Sequence, residues 1–220
     1  MDADVDFFAP RRCMRAPISE IFLAAELLDR ATDAHLAGDR AEAEALIRAA
    51  DMPAVRAWTE SLWGSSKAYP DQHSLNRFRV VVDAPPNLPR ENRIPQRMPT
   101  AAEKAKLIDR FGHRCAFCGI PVIRKEIRVA FSRRYPDAAY WGHTNPTQHA
   151  AFQCMWLQFD HALPHSRGGD NSVENVLITC APCNYGRMQW TLEEVGLIDP
   201  RGIPILKTDW DGLERFLSRP

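Results

Sequence analysis

The sequence predicts an α+β protein in which helices come first and a small unit of two strands and a helix, with two cysteine pairs, follows. Two observations predict this class. Apolar residues recur at helical spacing through most of the first sixty or so residues. Further along, two Cys-x-x-Cys pairs accompany two short apolar runs that a Gly-Gly turn separates. We therefore expect a helical N-terminal region and a compact α+β domain after it.

Composition limits the class of protein. The chain has 220 residues, 45% hydrophobic and 25% charged, which suits one or two domains with a real core. No apolar run approaches the ~18 residues that a membrane span needs. The first ten residues are acidic, where a secretory signal would be basic. These features predict a cytoplasmic protein without membrane contact, in which clustered cysteines stay reduced.

Charge is unevenly distributed along the chain. The formal net charge is zero, but residues 1–60 carry 12 acidic and 7 basic residues, and residues 61–220 carry 16 acidic and 21 basic residues. A polyanion would therefore meet the second part of the chain, although the excess is modest. The densest basic stretch is either a solvated face or a phosphate contact; it comprises Arg124, Lys125, Arg128, Arg133 and Arg134.

The first two segments of the chain carry no obvious chemistry. Residues 1–69 form the helical N-terminal region, and residues 70–99 a strand followed by a proline-rich linker. Caps, stops and apolar spacing predict three helices and one strand: Ser19 to Gly38, Asp39 to Ala50, Pro53 to Gly64, and the strand Leu75 to Val82. Prolines between 85 and 99 then exclude regular structure. Arg90, Arg93 and Arg97 in this linker are either solvated or near a phosphate backbone.

The remaining segments are a domain at residues 100–190, with an insertion at about 120–153, and a C-terminal extension at 191–220. Thr100 and Glu103 have the spacing of a capping box at the start of a helix that runs to Phe111. In the extension, the spacing of Thr191 and Glu194 predicts another helix start. An extended piece and a short helix are expected at 203–206 and 210–217.

Four cysteines form two pairs, Cys115 with Cys118 and Cys180 with Cys183. Four thiolates complete the tetrahedral shell of a structural Zn²⁺. The pairs are more than 60 residues apart, which an inserted segment would explain. A redox site or buried free thiols are the alternatives, but a redox motif rarely occurs twice in one chain. The pattern favours structural zinc.

Polar residues punctuate the segment before the second cysteine pair. Asp160 and His161 end an apolar run that starts at Cys154, which predicts a strand. Asn175 precedes a second short apolar run, and a helix is expected from about Asn184. This order of strand, loop, strand and helix brings the four polar side chains within reach of one another.

The ordered pattern Asp-His, Pro, Gly-Gly, Asn, Cys-x-x-Cys-Asn between residues 160 and 184 resembles that of the HNH endonucleases, the ββα-metal nucleases. The separations of 14 positions from His161 to Asn175 and 9 from Asn175 to Asn184 agree with that family. The chain resembles its zinc-containing subgroup with four cysteines, in an H-N-N variant. The resemblance covers about Arg110 to Arg187.

The resemblance implies hydrolysis of DNA phosphodiester bonds with a histidine general base. His161 takes that role, and Asn175 orders the loop and the histidine. Imidazole is a suitable base for water near neutral pH. His165, four positions later, is a rival base or a substrate contact.

The same resemblance implies one catalytic divalent metal, Mg²⁺ or Mn²⁺, held by Asp160 and Asn184. An amide oxygen suits these hard cations better than zinc. Arg187, one turn beyond Asn184, is expected to hold a phosphate through a forked contact.

A second class of function stays open. A non-catalytic zinc-ribbon module that binds nucleic acid or a protein would use the same cysteines without cleaving anything. RNA is an alternative substrate to DNA, and the sequence predicts neither a target nor an oligomeric state.

Overall fold

The structure is a computed structural model and describes residues 9–63, 78–95, 98–204 and 208–218. In these residues it contains seven α-helices and one antiparallel sheet of two strands, which confirms the α+β class. Several single turns of 3-10 helix join them.

Three helices open the described chain: α1 at Ser19–Leu36, α2 at Arg40–Ala49 and α3 at Pro53–Trp63. Asp39 caps α2 as predicted, because its side chain accepts a hydrogen bond from the backbone N–H of Glu42. Ser19 is not the N-cap of α1. Ile18 occupies that position without a side-chain hydrogen bond, and the Ser19 hydroxyl contacts Glu20 instead.

Helix α4, Ala101–Phe111, begins at the predicted capping box. The Thr100 side chain accepts from the Glu103 backbone, and the Glu103 carboxylate accepts from the Thr100 N–H at 2.7 Å. Gly112, with φ +63°, ends the helix. Two further helices, α5 at Lys125–Arg134 and α6 at Ala150–Cys154, fold the predicted insertion.

Strands β1 at Leu157–His161 and β2 at Val176–Cys180 pair antiparallel, with Leu157 opposite Cys180 and His161 opposite Val176. Helix α7, Ala181–Arg187, follows β2 directly. Two predicted boundaries were wrong. Cys154 ends helix α6 and Trp156 forms an isolated bridge with Ile123, so the strand starts only at Leu157. Helix α7 begins at Ala181 rather than near Asn184, with Cys180 as its N-cap.

The strand expected at Leu75 to Val82 is not formed in its described part, and residues 75–77 lie outside the described residues. Val80 and Val82 are 87% and 93% exposed, so their β-propensity has no sheet to pack against. Phe78 instead stacks on Trp190, with ring centroids 3.6 Å apart. The following proline-rich strap, residues 85–95, is irregular apart from one 3-10 turn at Arg90–Asn92, as the prolines predict.

The C-terminal extension differs from its prediction. Thr191 and Glu194 do exchange capping-box hydrogen bonds, but these close a turn instead of starting an α-helix. The expected extended piece at 203–206 falls partly outside the described residues, and residues 203–204 are not in a strand. The expected closing helix is a 3-10 turn at Glu214–Leu217.

One hydrophobic core runs through the N-terminal helices and the segment that carries the cysteines. Helix α3 packs against both α6 and α7. Gly186 of α7 permits this approach, because a Cβ there would lie 3.1 Å from the backbone oxygen of Leu62. The N-terminal helices therefore support the helix that follows the second cysteine pair. Among the helices described, none is long and apolar enough to cross a lipid bilayer.

Candidate functional site

The two cysteine pairs meet in one cluster. The sulfur atoms of Cys115, Cys118, Cys180 and Cys183 all lie within 4.8 Å of one another. Zn–S bonds of about 2.3 Å in a tetrahedron separate the sulfurs by about 3.8 Å. The Cys118 and Cys180 sulfurs are 3.7 Å apart, which fits that geometry. This donor set can hold a metal such as zinc.

The first pair lies in a tight turn. Gly119 has φ +75°, and its N–H donates to the Cys115 carbonyl at 2.9 Å. The Cys115 N–H donates to Ile120 across the turn at 3.0 Å. A bond of 2.8 Å from the Ala116 N–H to the Ile178 carbonyl then ties the turn to β2. The first pair is therefore fixed against the strand that delivers the second pair.

The two cysteine pairs meet although they are far apart in the sequence, because the inserted segment begins and ends at neighbouring positions in the fold. Ile123 donates to the Met155 carbonyl at 2.7 Å and accepts from the Leu157 N–H at 2.9 Å. The chain between them, which contains α5 and α6, leaves and re-enters at neighbouring positions. The second pair then lies where β2 becomes α7.

Three of the four cysteines are buried, and Cys118 is half-buried. Burial and the neighbouring sulfurs raise the pKa of the Cys180 thiol well above its usual value. Four thiolates this close repel one another strongly in a low-dielectric interior. A divalent cation removes that repulsion, which is a physical reason to expect a metal there.

An open cleft of about 510 Å³ lies at the end of β1 and along α7. Four residues singled out from the sequence line it, namely Asp160, His161, His165 and Asn184. Asp160 and His161 are the last residues of β1, and Asn184 is half-buried on α7. The fold therefore brings these predicted site residues together on one surface.

Asn175 lies outside the cleft lining and holds the loop between the strands. Its Oδ1 accepts from the Leu163 N–H at 2.9 Å, and its Nδ2 donates to the carbonyls of Leu163 at 3.2 Å and Asp170 at 2.9 Å. The side chain thus spans both ends of the loop that carries His165. Gly169 makes this possible, because a Cβ there would lie 1.8 Å from the Leu163 oxygen.

His161 is 8% exposed, and its Nε2 lies 3.2 Å from the Oδ1 of Asn171. Asn171 in turn donates through Nδ2 to the Pro95 carbonyl at 3.1 Å. Sequence reasoning missed Asn171, since an Asp-Asn pair after two glycines is an ordinary turn signal. The orienting partner of His161 is therefore Asn171, whereas Asn175 acts on the loop backbone.

Arg187 is placed differently from the expectation. It is fully buried, and its guanidinium contacts Asp160 through Nη2 at 2.6 Å and Nε at 3.3 Å. The other N–H groups donate to the carbonyls of His161 at 2.6 Å, Trp190 at 2.8 Å and Ala162 at 3.4 Å. All its donors are used inside the protein, so in this structure Arg187 does not reach a phosphate.

Asp160 is buried by its pairing with Arg187. Burial raises the pKa of Asp160, and the positive charge and hydrogen bonds of Arg187 act against that rise. Each carboxylate oxygen has more than one lone pair, so both remain able to accept a further bond from the cleft side.

The proline-rich strap crosses the loop beside the cleft. The Leu88 N–H donates to the Ser166 carbonyl at 2.8 Å, and the Nε2 of His165 lies 2.6 Å from the Ile94 carbonyl. Arg93 of the strap lines the cleft and is half-buried. Sequence reasoning placed Arg93 in a linker, because the contact between strap and loop joins residues far apart in the chain.

Two of the five residues in the dense basic stretch are engaged within the protein. Arg124 pairs with Glu214, and Arg128 is 6% exposed with its guanidinium 3.7 Å from the Trp141 ring centroid. These two arginines therefore stabilise the packing of α5, and neither forms a free basic patch.

Comparisons of the chain with known protein families, with curated proteins and with solved structures find no match.

Proposed function

We propose that this protein is a metal-dependent endonuclease of the HNH type that hydrolyses DNA phosphodiester bonds. The observation that carries the proposal is the cleft in which Asp160, His161 and Asn184 meet beside the four-cysteine centre. The chain order of β1, β2 and α7 is the order that the sequence resemblance leads us to expect. The cysteine centre is proposed to hold a structural Zn²⁺ that fixes the start of α7.

His161 is the proposed general base. Its ring lines the cleft. Asn171 contacts the Nε2 atom, so Nδ1 is the ring nitrogen that Asn171 does not contact. One nitrogen of a neutral imidazole donates and the other accepts, so a contact on one side selects the tautomer that can take a proton from water. His165 is the second histidine of the cleft, with ring centroids 5.8 Å apart, and is the proposed substrate contact.

Asp160 and Asn184 are the proposed ligands of a catalytic Mg²⁺ or Mn²⁺. Both offer oxygen atoms on the same cleft, which is the donor type that these cations prefer. When bound there, the cation would supply charge stabilisation at the leaving oxygen. Arg187 is then a positioning residue that holds the Asp160 carboxylate from the protein interior. Arg93 is the arginine that lines the cleft.

Cleavage of plasmid DNA tests the proposal. The unmutated protein with Mg²⁺ or Mn²⁺ should convert supercoiled plasmid to open-circular and linear forms, and EDTA should stop it. The product ends should be 5′-phosphate and 3′-hydroxyl, as the resemblance implies. His161→Ala should slow cutting by roughly 10²- to 10⁴-fold, since that is the usual contribution of a general base.

His143→Ala is the matched control, because His143 is exposed and does not line the cleft. Equal cutting by the His161 and His143 variants would remove His161 as the base. The alternative, a non-catalytic zinc-ribbon module, would be supported by DNA binding without cleavage in either metal. An active enzyme that cuts RNA and leaves DNA intact would correct the substrate.

A further inference from the structure

We infer that the pocket beside the proposed catalytic cleft binds a single unstacked nucleobase of the substrate. This inference rests on the proposed function and names a subsite for it. The pocket has a volume of about 430 Å³, within the range of about 300–1,000 Å³ typical of small-molecule sites. Helix α3, helix α6 and helix α7 all contribute to its wall.

Aromatic side chains form much of the wall. Trp63, Trp156 and Tyr185 line the pocket, and the rings of Trp63 and Tyr185 contact edge to face with centroids 5.2 Å apart. Tyr185 is 45% exposed and Met188 is 60% exposed, so apolar surface is open to a ligand. A flat aromatic surface of this kind stacks on the face of any base.

Two buried polar atoms in this wall lack a hydrogen-bond partner in the described part of the chain. They are the Nε1–H of Trp63 and the Oε1 of Gln153, which is 1% exposed. Such groups normally have partners, because leaving a buried donor or acceptor unpaired costs free energy. One donor and one acceptor beside an aromatic wall match the edge of a nucleobase, which offers both kinds of group.

The orientation of the Gln153 amide is fixed by its neighbours. Gln148 donates through Nε2 to the Gly142 carbonyl at 3.2 Å, so its Oε1 faces Gln153. Gln153 must then present Nε2 to that oxygen, at 3.1 Å, and its own Oε1 is left over. The unused acceptor is therefore a consequence of the hydrogen-bond chain.

The pocket adjoins the proposed catalytic cleft. Tyr185 and Met188 line both spaces. A nucleotide whose phosphate lies in the cleft therefore has a neighbouring base within reach of the pocket. Because a base in a continuous duplex is stacked on both sides, the subsite favours single-stranded or locally unpaired DNA.

Fluorescence of 2-aminopurine tests this inference without requiring cleavage. The probe is a single-stranded oligonucleotide that contains one 2-aminopurine, titrated with the full-length His161→Ala protein. Stacking in the pocket should quench the probe. Adding Tyr185→Ala should weaken binding about tenfold or more and reduce the quench, since one base–aromatic stack typically contributes that much.

Trp63→Phe keeps an aromatic ring and removes the N–H, and Trp63 does not line the cleft. It should weaken binding several-fold. Phe22→Ala is the matched control, because Phe22 is an exposed aromatic residue of α1 that does not line the pocket. Equal quenching in the Tyr185, Trp63 and Phe22 variants, or no binding of the probe, would overturn the subsite.

The two proposals fail separately. If the protein cuts plasmid DNA but the quench does not depend on the pocket residues, the nuclease proposal is kept and the base subsite is rejected. Quenching that depends on Tyr185 and Trp63, in a protein that cuts no nucleic acid, keeps the subsite and removes the nuclease.

Discussion

Asn175 and Gly169 together define the loop between β1 and β2. The Asn175 amide bonds the backbone at both ends of the loop, at Leu163 and Asp170. At Gly169 the chain lies so close to the Leu163 carbonyl and the Asn175 amide that there is no room for a Cβ. The loop backbone that carries His165 and follows His161 is therefore held by contacts that neither histidine makes itself.

Gly169→Ala should destabilise the protein by about 1–3 kcal/mol, because the new methyl group meets backbone that must move. Urea unfolding measures the change. Gly202→Ala is the matched control, since no atom lies within 4 Å of a Cβ there, and its effect should stay within about 0.5 kcal/mol. Equal stability of the two variants would contradict the close approach at Gly169.

The Asp160–Arg187 pair shows how residue identity alone misleads. An arginine one turn after the second cysteine pair has the right chemistry for a phosphate. The structure buries it completely against Asp160 and three backbone carbonyls. A buried pair of this kind makes each partner depend on the other, because removing one leaves an uncompensated charge.

At the scale of elements, the cysteine centre joins the turn after α4 to the junction of β2 and α7. Cys180 is both the last residue of β2 and the N-cap of α7, and Cys183 lies in the first turn of that helix. A metal at this centre therefore fixes the direction of α7, which carries Asn184 and Tyr185. Metal loss should affect both the cleft and the adjoining pocket.

Metal analysis after dialysis should find about one zinc per chain, as expected for a four-cysteine site. Cys183→Ser should lower that content and the thermal midpoint, because structural zinc contributes folding energy directly. Cys154→Ala is the control, since Cys154 is a buried cysteine outside the cluster. A folded, metal-free unmutated protein would contradict the zinc assignment.

At the scale of the whole molecule, the C-terminal turn closes the core over the N-terminal helices. Phe216 stacks on Phe131 of α5 and on His35 of α1, with ring centroids 3.7 Å and 4.3 Å apart. Arg215 pairs with Asp29 and Asp33 of α1. The last described segment thus links α1 to α5.

Glu214 makes the packing of the C-terminal turn against the rest of the protein sensitive to pH. Burial raises the pKa of Glu214, but the hydrogen bonds from Arg124 and the His113 ring, whose Nε2 lies 3.4 Å from Oε1, outweigh it and lower the pKa from 4.5 to about 2. A carboxyl with a lowered folded-state pKa stabilises the protein fully above its ordinary pKa. That contribution is lost as the pH falls from about 4.5 to about 2.

Glu214→Gln should therefore cost roughly 1–2 kcal/mol at neutral pH, after allowance for partial solvent screening. The difference from the unmutated protein should shrink between pH of about 5 and about 2 in unfolding experiments. Glu26→Gln, at an exposed position of α1, should show no such trend. A constant difference at all pH values would contradict the pairing of Glu214.

Local sequence signals predicted the elements whose ends are set by local chemistry. Asp39 caps α2, and Thr100 and Glu103 begin α4. The same kind of signal failed at Thr191 and Glu194, where the reciprocal bonds formed but no helix followed. A capping box satisfies backbone groups at one turn, and it does not provide the apolar face that keeps a helix packed.

The sequence by itself determined the α+β class and the four-cysteine donor set, because periodicity and spacing along the chain are enough to define them. The polar residues of the cleft were indicated by the resemblance of residues 160–184 to a known motif. Tertiary structure decided that Arg187 lies inside, that Asn171 contacts His161 and that Arg93 lines the cleft. It also placed Trp63 of α3 against Tyr185 of α7. These outcomes depend on which segments pack together and which side chains lose their water, and such contacts between distant parts of the chain leave no periodic pattern in the sequence.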